Sequence, residues 1–168
     1  TFLVERFLPG NRDGDWLQPT WEYMHSHPWL DERALDRIAV WEDAGDIVGV
    51  VHYESRLGEA FFELHPDHRD LIPEMVNHAE SHLTGTTDDG ARFLRAYVND
   101  FDGEFEALVR ARGYEHDARH DRPMSALPIP DPFPPIDLPP GFRLMSLADD
   151  NDLRKVDRAL WRGFDHPG

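Results

Sequence analysis

The 168-residue chain contains no cysteine, which excludes disulfides, thiolate nucleophiles and cysteine-based zinc sites. Lysine is almost missing as well: Lys155 stands alone, and arginines make up the rest of the 17 basic residues. Against 33 acidic residues they leave a formal net charge of −16. A surface of that sign cannot displace counterions from phosphates, so no nucleic-acid partner is expected. The same field favours a cationic substrate such as an amine, although solubility alone accounts for it equally well. No apolar run approaches the ~20 residues that span a bilayer, and no membrane partner is expected. Thr1-Phe2-Leu3-Val4-Glu5-Arg6 lacks the basic-then-apolar order of a secretory signal, so the expected location is cytoplasmic. No methionine opens the sequence, and the expectation is of a chain that begins inside a longer product.

What is present suffices for a folded domain. Forty per cent of residues are hydrophobic and 11% aromatic, enough to bury a core. An aromatic segment with Trp16, Trp21, Tyr23 and Trp29 surrounds His25-Ser26-His27-Pro28 and reads as a lid or as packing against the core. Residues 37–42, 47–54 and 60–64 read as three strands joined by the turns Asp43-Ala44-Gly45-Asp46 and Leu57-Gly58-Glu59. Ile72, Met75, Val76, Ala79 and Leu83 then recur at helical spacing over 72–83. A strand is expected at 93–98 and a helix over 101–112, which Gly113 stops. Residues 114–119 and 123–127 look like a closing pair of strands. A strand–helix–strand unit inside an antiparallel meander implies one parallel pair, and therefore an α/β layered fold with a mixed, mostly antiparallel sheet flanked by helices.

Residues 128–140 hold seven prolines in thirteen positions, a density that excludes ladders and helix interiors and favours an extended linker. After it, 141–144 reads as a short strand and 153–164 as an amphipathic helix, with cap chemistry just before it. That opening cannot form a core alone. Residues 141–168 are therefore expected to start a second domain that is truncated here.

This succession resembles the GNAT superfamily of N-acetyltransferases over residues 36–127. The residues that carry the resemblance are Leu64-His65-Pro66-Asp67-His68-Arg69 at the end of the central strand, Asn99 after the next strand, and Arg112-Gly113-Tyr114 closing the following helix. Residues 141–164 look like the first strand and helix of another copy, so the resemblance implies a tandem protein with a GNAT-like domain at 1–127 that lacks its first strand. It implies acetyl-CoA as cosubstrate, held where strands 60–65 and 92–98 splay apart. The pantetheine arm would pair near Leu64 and His65, and the pyrophosphate would sit beside Arg69 on amides of Asp70, Leu71 and Ile72. It also implies Glu63 and Asn99 as catalytic residues. Glu63 would deprotonate an ammonium acceptor before its attack on the thioester, with Glu54 as alternate. The other account of Glu63 is a carboxylate on a solvated sheet face.

The chain departs from the family pattern at two places. Where the phosphate loop has small residues, this sequence has Ile72, Pro73 and Glu74; Pro73 removes an amide donor, and Asp70 and Glu74 repel a diphosphate. Val109 stands where many members place the tyrosine that protonates the departing thiolate. Two functions are therefore carried forward. One is part of an acetyl-CoA-dependent N-acyltransferase acting on an amine of a small molecule or peptide. The other is a non-catalytic scaffold that supports a second, catalytic GNAT domain of the same chain. A ligand-sensing role of the aromatic segment is a weaker third. His78 and His82 have a chelating spacing, but Ala79 replaces the glutamate of HExxH, and no metal is expected. His65 and His68 lie where sites occur in such folds.

Overall fold

A computed structural model describes residues 2–6, 16–123 and 128–164. The chain divides into two compact units, Thr1–Arg119 and His120–Gly168. The first holds helices α1 (Phe2–Arg6) and α2 (Gln18–His25), strands β1 (Ala39–Asp43), β2 (Asp46–His52) and β3 (Glu59–Leu64), helix α3 (Ile72–His82), the two-residue strands β4 (Gly85–Thr86), β5 (Arg92–Phe93) and β6 (Arg95–Ala96), and helix α4 (Gly103–Ala111). One sheet has the order β1-β2-β3-β6; β4 and β5 form a separate pair. The fold is mixed α/β.

Local chemistry explains the meander. The β1–β2 hairpin turns through Ala44 and Gly45, both at positive φ, which glycine adopts without a Cβ clash. β2 pairs antiparallel with β3 so that His52 lies opposite Phe61 and Val50 opposite Glu63. Directly opposed residues share a face, so Val51 and Phe62 point to one side of the sheet while His52, Phe61 and Glu63 point to the other. On the first side Val51, Phe62 and Leu64 pack against Met75, Val76 and Ala79 of α3 and Phe105 and Val109 of α4. Each fully buried side chain of this size contributes about 1.5–3 kcal/mol, which makes this layer the main core. The helix stripe read in the sequence is the one that α3 buries. On the second side Trp16 and Met24 cover Phe61, with Trp21 and Tyr97 around them.

β3 and β6 form the expected parallel pair, in register only at Glu59–Arg95 and Ala60–Ala96. The strand expected at 93–98 is divided between two partners, because Arg92–Phe93 pairs with β4 and Arg95–Ala96 with β3. Two other expectations are corrected. Residue 37 belongs to a 3-10 turn, Glu32–Arg37, and the strand begins at Ala39. Residues 114–119 form no strand: Asp117 accepts from the Arg119 amide and guanidinium, local bonds that compete with a ladder. Of the strand expected at 123–127, residue 123 is not in a strand, and 124–127 lie outside the described residues.

In the second unit the short strand expected at 141–144 is replaced by a turn. Gly141 has φ 90°, and the Phe142 amide donates to the Pro139 carbonyl at 3.1 Å. Helix α5 (Leu153–Gly163) forms as expected, capped by Asp152, whose carboxylate accepts from the Arg154 amide at 3.0 Å. None of its residues is buried. Among the described residues no helix is long and apolar enough to cross a membrane.

Candidate functional site

Beyond Ala60 the parallel strands diverge. The Tyr97 amide still donates to the Ala60 carbonyl at 3.0 Å, and past that point the strands line opposite sides of a crevice. Phe62 and Leu64 form one wall, Val98 and Asn99 another, and α3 and α4 close it through Met75 and Phe105. This is the carboxyl-end position at which open α/β sheets bind ligands. Its volume, however, is about 20 Å³, room for about one water.

Arg69 and Asp102 line the same crevice and are paired within it. Arg69 Nη2 donates to both carboxylate oxygens of Asp102 at 2.7 Å. Asp102 is 1% exposed, and its Oδ1 also accepts from the Phe105 amide at 3.2 Å as the N-cap of α4. One carboxylate thus caps a helix and neutralises a guanidinium from 33 residues earlier in the chain. Glu104 Oε2 stands a further 3.8 Å from Arg69 Nε. Outside the ion pair lies a second hollow of about 160 Å³, lined by Ile72, Pro73, Phe105 and Leu108 with Asp70 and Glu104 at its edge. Arg69, Ile72 and Phe105 line both spaces and stand between them.

The remaining sequence-predicted ligand residues surround this barrier. The His65 amide donates to the Val48 carbonyl at 2.7 Å, and its ring Nδ1 accepts from the Asp67 amide at 3.2 Å. Asp70 is exposed, Leu71 half-buried and Ile72 buried. Glu74, in the first turn of α3, accepts from Trp41 Nε1 at 2.9 Å. Arg112, at the C-terminal cap of α4, donates to the Pro73 carbonyl, Asn77 and Glu80, fastening α4 to α3. Asn99 lines the crevice, and its carbonyl accepts from the Asp102 amide at 2.9 Å. The structure therefore brings together Leu64, Arg69, Ile72 and Asn99, with Arg69 already paired to Asp102.

Glu63 lies on the opposite sheet face. It is fully buried, and its Oε1 accepts the Trp16 amide at 2.9 Å. His52 Nε2 stands 4.0 Å from the same oxygen, also fully buried. Trp16, Trp21 and Phe61 enclose the His52 ring, with centroids 4.6, 4.7 and 5.4 Å away. Burial pushes His52 down to about 4, against weaker opposing effects of the Tyr53 carbonyl and Glu54. His25 on α2 is also lowered by burial. In the sequence His25 lies in a segment that reads as lid or packing, and no motif marks His52. The alternation of Phe61 and Glu63 with core residues was visible, but nothing in it shows that a second layer covers that face. Glu54, the alternate base, is only half-buried.

His78 and His82 stack on one another at 4.4 Å, and His78 Nε2–H donates to the Arg37 carbonyl at 2.8 Å. Among the described residues no group of three His, Asp or Glu side chains is placed to hold a metal ion.

A scan against protein-family models and a search of curated proteins find no match to this chain.

Proposed function

We propose that this chain belongs to a cytoplasmic acetyl-CoA-dependent N-acyltransferase of GNAT type, in which its first unit is a non-catalytic scaffold supporting a catalytic GNAT domain. The observation that carries the scaffold role is the Arg69–Asp102 ion pair. The arginine that would meet a pyrophosphate is satisfied by a buried carboxylate. Displacing Asp102 would cost the N-cap of α4 and bury an uncompensated charge. Asp70, Glu74 and Glu104 add like-sign repulsion, and Pro73 offers no amide. A free volume of about 20 Å³ in the crevice between the splayed strands supports the same reading, since a pantetheine arm needs more room. Glu63, enclosed under Trp16, has no open path to an amine acceptor.

Transfer in the whole protein is direct. A base takes the ammonium proton, the amine attacks the thioester carbonyl, strand amides stabilise the developing oxyanion, and the thiolate leaves protonated. The acceptor is an amine of a small molecule or peptide, which the strongly acidic surface attracts.

Calorimetric titration of acetyl-CoA into this chain tests the reading. No saturable heat is expected up to about 1 mM. The protein as encoded should bind one equivalent and release thiol with primary amines. Micromolar binding to this chain that Arg69→Ala abolishes would overturn the scaffold role.

A further inference from the structure

The outer sheet face carries an arrangement of hydrogen-bond acceptors that neither core packing nor the crevice accounts for. His52 Nδ1–H donates to the Tyr53 carbonyl at 3.2 Å, and His25 Nδ1–H to the Trp21 carbonyl at 2.8 Å. A carbonyl can only accept, so each neutral ring keeps its proton on Nδ1 and turns a bare lone pair outward at Nε2. Both Nε2 atoms are buried without a hydrogen-bond partner among the described residues. The fully buried Glu63 carboxylate, another acceptor, lies 4.0 Å from His52 Nε2. The two imidazoles are 6.3 Å apart between centroids. Trp16 and Trp21 separate this cluster from solvent, and the Trp16 amide is tied to Glu63.

We propose that residues 16–25 form an acid-released clasp over the outer sheet face, shut while His52 and His25 are neutral and opened when they take up protons. Closed, the segment buries the His52 ring completely, and that burial opposes an imidazolium. Among the described residues the groups facing His52 are Glu63 and Phe61 on β3, Trp16, Trp21 and His25 beside or on α2, and, on its own strand and just beyond it, the Tyr53 carbonyl and Glu54. Glu59 is paired to Arg95 at 2.8 Å, Tyr97 stacks on Phe61, and Glu22 accepts from Gln18 at 2.6 Å, so none of these is turned to the ring. The Tyr53 carbonyl and Glu54 favour a proton on the closed ring, as does the nearby Glu63 carboxylate, and burial outweighs them. Released, the imidazole returns to its ordinary value of 6.5 from about 4. Acid therefore favours the open form by at most about 300-fold for His52 alone. Opening bares Phe61 and Glu63 and leaves the α3–α4 layer untouched.

Hydrogen exchange at the Trp16 amide reads the clasp directly. Corrected for intrinsic rates, its protection is expected to fall about 70-fold from about pH 7.5 to 4.5. The β2–β3 ladder amides should keep theirs, and His52→Gln should remove most of the fall. Loss of ladder protection in step, an unchanged Trp16 amide, or an equal fall in His52→Gln would each overturn the proposal. An NMR titration of the wild-type His52 ring decides independently of whether the variant folds. A ring that protonates near 6.5 while the Trp16 amide stays protected also overturns it.

Discussion

Replacing Asp102 is the sharpest test of how the crevice is closed. The carboxylate has two tasks, capping α4 through the Phe105 amide and holding Arg69 with both oxygens at 2.7 Å. Asp102→Ala loses the cap, about 1 kcal/mol, and leaves Arg69 without its buried partner. Breaking a buried pair costs about 3–5 kcal/mol. The Arg69 side chain is 17% exposed and Glu104 is near, which cuts the penalty to about 2 kcal/mol. The expected loss is therefore about 3 kcal/mol, or roughly 10–14 °C in Tm for a unit of this size. Asp102→Asn keeps a capping oxygen and the side-chain shape, so only the charge is lost, about 1–2 kcal/mol. The double variant Arg69→Met with Asp102→Asn should recover most of that, since no charge is left unpaired. Urea unfolding followed by far-ultraviolet circular dichroism gives all three values, with m unchanged. A loss below about 0.5 kcal/mol for Asp102→Ala, or equal losses for Ala and Asn, would refute this account.

Other outcomes follow from the same contacts. Tyr114 is pushed up to about 12, chiefly by burial and then by Glu80. Its phenol stays neutral in the folded chain after the unfolded one ionises near 10, so stability present below pH 10 drains away as pH rises toward 12. Burial raises Tyr53 as well, so ultraviolet titration should show late-ionising tyrosine absorbance that Tyr114→Phe reduces but does not abolish. At Gly85 a Cβ would stand 2.5 Å from the Leu57 carbonyl oxygen and 2.9 Å from the Gly58 nitrogen. Gly85→Ala must displace backbone and should cost about 2 kcal/mol by thermal melt. Met75→Ala opens a hole between sheet and α3, where Met75 is fully buried, and should cost about 3 kcal/mol in urea. Leu160→Ala on α5, where the residue is 55% exposed, should change stability by less than about 0.5 kcal/mol.

Much of the fold was legible in the residues themselves. Ala44-Gly45 marks a hairpin because few residues other than glycine tolerate positive φ. The stripe Ile72, Met75, Val76, Ala79 marks a helix because that spacing puts the four on one side. Gly113, at φ 92°, marks where α4 stops. Each is a property of a few neighbouring residues. Register and coverage are not. Residues 92–96 divide between β4 and β3 because two different strands lie within reach, and 114–119 forms no strand because Asp117 and Arg119 satisfy the backbone locally. Glu63 reads as a base or as a solvated side chain, since alternation assigns its face but not what covers it; Trp16, 47 residues earlier, decides that. Arg69 read as a phosphate ligand from its neighbours in sequence, and its actual partner is 33 residues away. Periodicity and turn chemistry act over one or two turns of chain, so the sequence determined the elements. Ion pairs and burial depend on which elements come to lie side by side, so the tertiary structure alone decided that Arg69 meets Asp102 and that His52 and Glu63 are enclosed.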